Sequence, residues 1–317
     1  MDLALDCFAS LAMVQLRGDP RELRAMTSQA LLQIFASGLL TGLIYALVAV
    51  GLSLIFGLMD IVNFAHGEFL MFAMYATFFL WLLTALDPVL LAPLVVATLF
   101  FWGALVYALI VRYAMRAKAN IGMVQIFSTF GLGILMQGAA QYLFTPDYRS
   151  ITSSWFGGKT LSVAGVFLPL PQVFGGAVSI LTFAGLYLLM SRTDFGKALE
   201  ATREDQGAVA LVGIDKNRIF ALGWGLGGAL IGLAGAILAI FNYVHPQVGS
   251  TFALTAYVVV ALGGFGSIFG ALAAGIIVGL VEAAATLVIE PSMKSIGIYA
   301  LYLAVVFIRP SGMFGRL

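Results

Sequence analysis

One cysteine, Cys7, and two histidines, His66 and His245, are all the thiol and imidazole that this 317-residue chain carries. An intrachain disulfide is impossible and a cysteine-rich metal site is excluded. The stretch HGEFL, from His66 to Leu70, lacks the second histidine four residues on that a helical zinc motif needs. No metal, no cofactor and no catalytic group is therefore expected. Charge is scarce as well: 10% of residues are charged and 62% hydrophobic, against about 25% and about 45–50% in an ordinary soluble domain. The net charge of +1 arises from 16 basic and 15 acidic residues. No basic patch interleaves with aromatics, so no nucleic-acid partner is expected. The long apolar runs show no strand-like alternation, which removes a closed β-barrel. Residues 1–25 begin acidic and have no small-residue cleavage site after a clean apolar core, so they do not read as a signal peptide. They read as an N-terminal extension, with Met26 a candidate start, ahead of a membrane domain over residues 26–317.

Apolar runs near the length of about 20 residues that crosses a bilayer occupy residues 90–111, 121–144, 220–241 and 271–289. Only helices satisfy their own backbone groups in lipid, so the fold class is all-α, a polytopic transmembrane helical bundle. Residues 191–218 form the longest internal polar stretch and carry Arg192, Lys197, Arg203, Lys216 and Arg218. The positive-inside bias places that segment in the cytoplasm, with Arg112 to Lys118 and the tail arginines Arg309 and Arg316. Parity then puts residues 145–171 outside. It also requires an even number of passages between Arg218 and Arg309, met by four, the second of them short and ending in GGFGSIFG, residues 263–270, as a half or broken helix. Upstream of Arg112 there are three spans, or four if residues 51–60 are separate. Arg17, Arg21 and Arg24 favour a cytoplasmic N-terminus and hence four. Eight to ten crossings result.

SSWFGGKT, residues 153–160, nearly spells a phosphate-binding loop, but Ser153 stands where the first glycine belongs and no strand precedes it. GGFGSIFG likewise lacks the strand and soluble helix of a dinucleotide fingerprint. Close helix packing explains it better, as it does Gly228 and Gly232, four apart on one helix face. Polar groups inside the apolar runs are the more informative signal, because they are expensive there and face a bundle interior or a wet path. Asn63, His66, Gly67 and Glu68 form one group. Asn242 and His245 repeat the Asn-x-x-His spacing 179 residues later, as an internal pseudo-repeat would. Discontinuous helices from two related halves would meet near the midplane, and the helix start after Gly67 would offer N–H groups to a carboxylate or carbonyl. His66, Glu68 and Glu282 read either as pathway or as scaffold.

In the cytoplasmic stretch Thr193 or Asp194 can cap a helix over residues 195–202, and Asp205 a second over 206–212 ended by Gly213. Ala198, Leu199, Ala201, Val209, Leu211 and Val212 give these helices apolar faces. The segment is a solvated loop or a docking element for a partner.

Residues 42–76, GLIYALVAVGLSLIFGLMDIVNFAHGEFLMFAMYA, residues 196–222, GKALEATREDQGAVALVGIDKNRIFAL, and residues 261–283, ALGGFGSIFGALAAGIIVGLVEA, together resemble the permease subunits of ABC importers for branched-chain amino acids. Urea and short-chain amide permeases are close relatives of that family. The resemblance covers nearly all of residues 27–317. It implies a multi-pass protein of the bacterial inner membrane that works with two ATP-binding subunits, a second permease subunit, identical or paralogous, and a periplasmic solute-binding protein. By resemblance Gly196, Lys197, Glu200, Arg203, Glu204, Asp205, Gly213 and Ile214 couple to the ATPase. The translocation path would hold Asn63, His66, Gly67, Glu68, Asn242, His245 and Glu282. Several importer families place Gly six residues after the coupling Glu, whereas here Gly207 follows Glu200 by seven.

Two other classes compete. An ion-coupled secondary transporter would use His66, Glu68 and Glu282 as proton carriers. An intramembrane hydrolase would need Ser267 beside His245, which the parity assignment puts on opposite sides.

Overall fold

A computed structural model describes residues 20–59, 63–117, 120–163, 165–288, 290, 293–309 and 312–314. Most of the expected extension over residues 1–25, and the anchors Lys118 and Arg316, lie outside the described residues. The membrane helices in chain order are α1 (Pro20–Met59), α2 (His66–Thr84), α3 (Pro88–Val106), α4 (Ile121–Phe144), α5 (Leu170–Arg192), α8 (Lys216–Leu238), α9 (Val248–Gly263), α10 (Ile268–Ala285) and α11 (Ser295–Ile308). Between α5 and α8 lie two short helices, α6 (Asp194–Glu204) and α7 (Gln206–Leu211). A hairpin of β1 (Thr160–Val163) and β2 (Val166–Pro169) precedes α5. Among the described residues seven helices have the length and apolarity to cross a membrane. Helices α9 and α11 are apolar but shorter, with 16 and 14 residues. At a rise of about 1.5 Å per residue they reach only about 24 and 21 Å of a core about 30 Å thick.

Local chemistry sets the helix ends. Asp87 caps α3, its side chain accepting from the Val89 N–H at 2.9 Å, and Pro88 occupies the first helical position, where no N–H is needed. Ser267 caps α10 through the Gly270 N–H at 3.0 Å. A π turn over Tyr107–Val111 continues α3 toward Arg112.

Hydrogen bonds assign the two ends of the bundle. The Gln33 side chain donates to the Phe167 carbonyl and accepts from the Phe167 N–H, both at 2.7 Å. Asp87 accepts from the Trp155 N–H, and Arg149 and Val244 exchange backbone bonds. The start of α1, the α2–α3 turn, the hairpin and the α8–α9 junction therefore share the end assigned to the outside. At the opposite end Gly57 and the Arg203 guanidinium both meet Gly266. Helix α1 runs unbroken through Met59, so residues 51–59 are its last turns and not a separate span. Three passages, not four, precede Arg112, and the N-terminal end of α1 lies outside, against the expectation drawn from Arg17, Arg21 and Arg24. The continuity of α1 removes the extra passage on which that expectation depended. Met26 falls inside α1.

Packing rests on facing small residues. Gly38 and Gly42 of α1 oppose Gly279 and Gly275 of α10, so two G-x-x-x-G faces meet backbone to backbone. The Gly228 and Gly232 face of α8 meets α3 along Val95, Leu99 and Gly103 in the same way. Between these two seams Trp224, Tyr75, Tyr107, Phe69 and Phe220 are fully buried. A methyl at position 228 would strike the Leu99 carbonyl. Gly228→Ala is predicted to cost about 1–3 kcal/mol, visible as a lower melting temperature of the purified protein. Gly185→Ala, where nothing lies within 4 Å, should leave the melting temperature unchanged or raised.

Candidate functional site

The Asn63 side chain accepts from the Ala65 N–H at 3.1 Å, and the Asn63 carbonyl accepts from the His66 N–H at 3.2 Å, which turns the chain into α2. Tyr257 of α9 donates to the same carbonyl at 3.2 Å. His66 is fully buried and its Nε2 lies 2.8 Å from the Val48 carbonyl of α1. Only a protonated nitrogen can donate there, so Nδ1 is the acceptor, and it has no partner. Val48 stands nine residues above Gly57, about 13 Å along the helix and nearly half of a core of about 30 Å. Helix α2 thus begins near mid-depth.

Helix α9 begins at the same level. Gly67 and Gly249 approach so closely that a Cβ on either would run into the other's carbonyl. The α2 and α9 starts meet there and the helices run opposite ways, α2 outward and α9 inward. Glu68 lies in this contact, 9% exposed, with Oε2 unpartnered and directed at Gly249. The two Asn-x-x-His stretches differ in register: His66 is the first residue of α2, whereas His245 lies three residues before α9 and stacks on Tyr148, ring centroids 4.6 Å apart.

Asn242, His245 and Glu282 are brought together elsewhere, around a cavity of about 430 Å³ in the outer half of the bundle, bounded also by Tyr45 of α1 and Lys294. Glu282, one turn from the end of α10, is 4% exposed and pairs with Lys294 at 2.8 Å. Sequence reasoning missed Lys294 and Tyr45. Lys294 had a signal: it is the single Lys or Arg between Arg218 and Arg309, and a buried carboxylate on a neighbouring helix needs a cation. Asn63, His66 and Glu68 do not reach this cavity.

At the inner end Thr193 caps α6 through the Gly196 N–H at 3.1 Å. Gly196 lies against the Leu189 and Met190 carbonyls with no room for a side chain. Glu200 and Arg203 face a cavity of about 320 Å³ shared with Leu54 and Gly57 of α1 and Phe269 of α10. Lys197 pairs with Asp194 at the surface, 3.9 Å apart. Asp205 caps α7 by accepting from the Gly207 and Ala208 N–H groups at 2.7 and 3.0 Å. Gly213 adopts φ +81°, where a side chain is strained, and Ile214 donates back to the Val209 carbonyl. Leu211 and Val212 project from this tip, 90% and 74% exposed. The Ser153–Thr160 stretch is a turn leading into β1 and not a loop between strand and helix. Among the described residues no cluster of His, Cys, Asp and Glu could hold a metal.

The family model described as "Branched-chain amino acid transport system / permease component" matches residues 34–306. The chain belongs to this family. The permease is 31% identical over 295 residues to the high-affinity branched-chain amino acid transport system permease protein BraD of Pseudomonas aeruginosa, covering 90% of this chain and 96% of the relative. It is 28% identical over 305 residues to LivH of Escherichia coli, a permease protein of the same description, with 90% and 96% covered. A ribose import permease protein, RbsC of Bacillus subtilis, is 32% identical over 124 residues, 36% of this chain and 37% of that one. Like these relatives the permease is a transport subunit and not an enzyme, and it is a multi-pass inner-membrane protein.

Both hydrogen bonds that Asp205 accepts favour its ionised form and hold its carboxyl below the usual range. A depressed folded value means the cap is complete above the unfolded carboxylate range, about 4, and fails as pH falls through the lowered value. Asp205→Ala should speed amide exchange at Gly207 and Ala208 at neutral pH. Asp205→Asn, which still caps, should not, and lowering pH should reduce the protection factors at these two amides, corrected for intrinsic exchange, only in the wild type.

Proposed function

We propose that the permease is the membrane subunit of an ATP-driven ABC importer and forms the path for branched-chain or related amino acids. Two ATP-binding subunits, a second permease, identical or paralogous, and a periplasmic solute-binding protein complete the machine. The observation that carries this reading is the α6–α7 element. It is tied to the bundle through Gly196 and the Arg203–Gly266 contact, and it offers Leu211 and Val212 to a partner on the cytoplasmic side. Large exposed apolar side chains on a capped, charged element fit a protein interface better than a solvated loop. The chain has no nucleotide motif of its own, so work must reach it mechanically, with ATP favouring one of two states of a partner.

The names of the relatives supply the solute class. Asn242, His245 and Glu282 act in the path through the outer cavity. Glu68, with an unpartnered oxygen at the meeting of two helix starts, acts at mid-depth. His66 holds the break to α1. The coupling contacts fall to Glu200, Arg203, Glu204 and Asp205, with Gly213 and Ile214 shaping the tip.

Reconstituted with its partners in proteoliposomes, the permease should import leucine with ATP and keep doing so when a protonophore collapses the proton gradient. Loss of uptake on collapse would support an ion-coupled carrier instead. Replacing Glu204 and Asp205 by Arg should abolish ATP-dependent uptake while leaving the melting temperature of the permease within a few degrees of wild type.

A further inference from the structure

The Glu282–Lys294 pair separates two cavities. On one side is the 430 Å³ space with Tyr45, Asn242 and His245. On the other is a space of about 290 Å³ lined by Gln33, Ser37 and Thr41 of α1 and Thr286. Glu282 and Lys294 belong to both linings. The two partners are unequally placed: the Glu282 side chain is 5% exposed and the Lys294 side chain 46%. Lys294 stands at the cap of α11, outside the helix body. Two buried polar atoms of residues lining the larger cavity make no hydrogen bond of good geometry, Oε2 of Glu282 and Nδ1 of His245, although the Tyr45 hydroxyl lies beside the Glu282 carboxyl. Such atoms are costly when buried and mark a place where a donor is wanted.

We propose that this ion pair is a removable partition, and that its two charges are the recognition groups for a zwitterionic α-amino acid. The proposal rests on the transport function above and deepens it. In the closed arrangement Lys294 neutralises Glu282. Removing one partner of a buried pair strands the other charge, which is the expensive way to open such a contact. A zwitterion avoids that cost because it brings both counter-charges. Its ammonium group donates to Glu282, including the free Oε2, while its carboxylate draws the half-exposed Lys294 aside. The side chain then lies among Val248, Phe252 and Ile298 in the same cavity, whose volume is within the usual range of about 300–1,000 Å³ for small-molecule sites. Urea has no charges to exchange and leaves the pair shut.

The unequal burial sets an order among analogues. 3-Methylbutylamine, leucine without its carboxylate, satisfies Glu282 and releases Lys294 to water, so it binds weakly. 4-Methylpentanoate, leucine without its ammonium group, takes Lys294 and strands the buried carboxylate, so it does not bind.

The test uses the assembled importer without its solute-binding protein, so that binding by the permease itself is read as a ligand-dependent shift in thermal unfolding. The expected order of protection is L-leucine, then 3-methylbutylamine, with none from 4-methylpentanoate or urea. In the neutral variant E282Q/K294Q leucine protection should vanish, and leucine uptake by the complete system should fall about tenfold or more. E282D/K294R should retain both. The proposal is overturned if leucine fails to protect the wild type, if 4-methylpentanoate protects as well as leucine, or if the neutral variant keeps its leucine shift. Should that variant fail to assemble, the ranking of compounds on the wild type decides alone. Wild-type uptake that needs no ATP would overturn the importer reading without touching this ranking.

Discussion

The contact between the backbones of Gly67 and Gly249 sets the interior of this protein. In a bilayer a helix that begins at mid-depth exposes N–H groups that water cannot reach, and each must be met within the protein. Here two such starts are placed against each other. The surrounding chemistry follows from it: Asn63 folds its side chain back onto the Ala65 N–H, Tyr257 reaches over to the Asn63 carbonyl, and His66 fastens the break to α1 at Val48. Any side chain at position 67 or 249 would drive the two starts apart. With them would go the geometry that keeps Glu68 buried. The polar groups at mid-depth are thus consequences of a backbone problem before they are candidates for chemistry.

The seams around this break join the two ends of the molecule. Helices α1 and α10 are locked together by the glycines at 38, 42, 275 and 279. Both run the full depth. At the inner end they supply Leu54, Gly57 and Phe269 to the cavity under α6, and in the outer half Tyr45 and Glu282 to the cavity that Lys294 borders. Close-packed backbones shift as one body more readily than they deform. A displacement of α6 against Gly57 and Gly266 therefore acts on the same paired helices that hold the outer ion pair, with no relay of intervening side chains.

Much of this was legible in the sequence, because composition and helix caps are local properties. Thr193 or Asp194 was read as the first cap, Asp205 as the second and Gly213 as the terminator, and Thr193, Asp205 and Gly213 take those places. The Gly228 and Gly232 face was readable from its four-residue spacing. What was not legible depended on distance along the chain. The Asn-x-x-His likeness suggested one setting for both histidines, but the register of a helix start is decided by what it packs against, and His66 and His245 stand three residues apart in that register. The choice between three and four passages before Arg112 turned on whether residues 51–59 continue the preceding helix, which three arginines upstream do not report. Lys294 escaped notice because its partner is on another helix and neither residue has a motif.

The cytoplasmic element shows how a departure from a family pattern can be absorbed. Glu200 and Gly207 are separated by one residue more than the usual importer spacing. The extra residue does not stretch a helix. Helix α6 ends at Glu204, Asp205 is extended with φ −151° and ψ 102°, and α7 starts afresh at Gln206. An insertion inside a continuous helix would rotate everything beyond it by about 100°, whereas one placed in an extended residue leaves each helix its own face. Leu199 and Thr202 therefore stay buried against the bundle, while Leu211 and Val212 remain turned outward. Asp205, by capping α7, determines where that helix and its exposed tip begin.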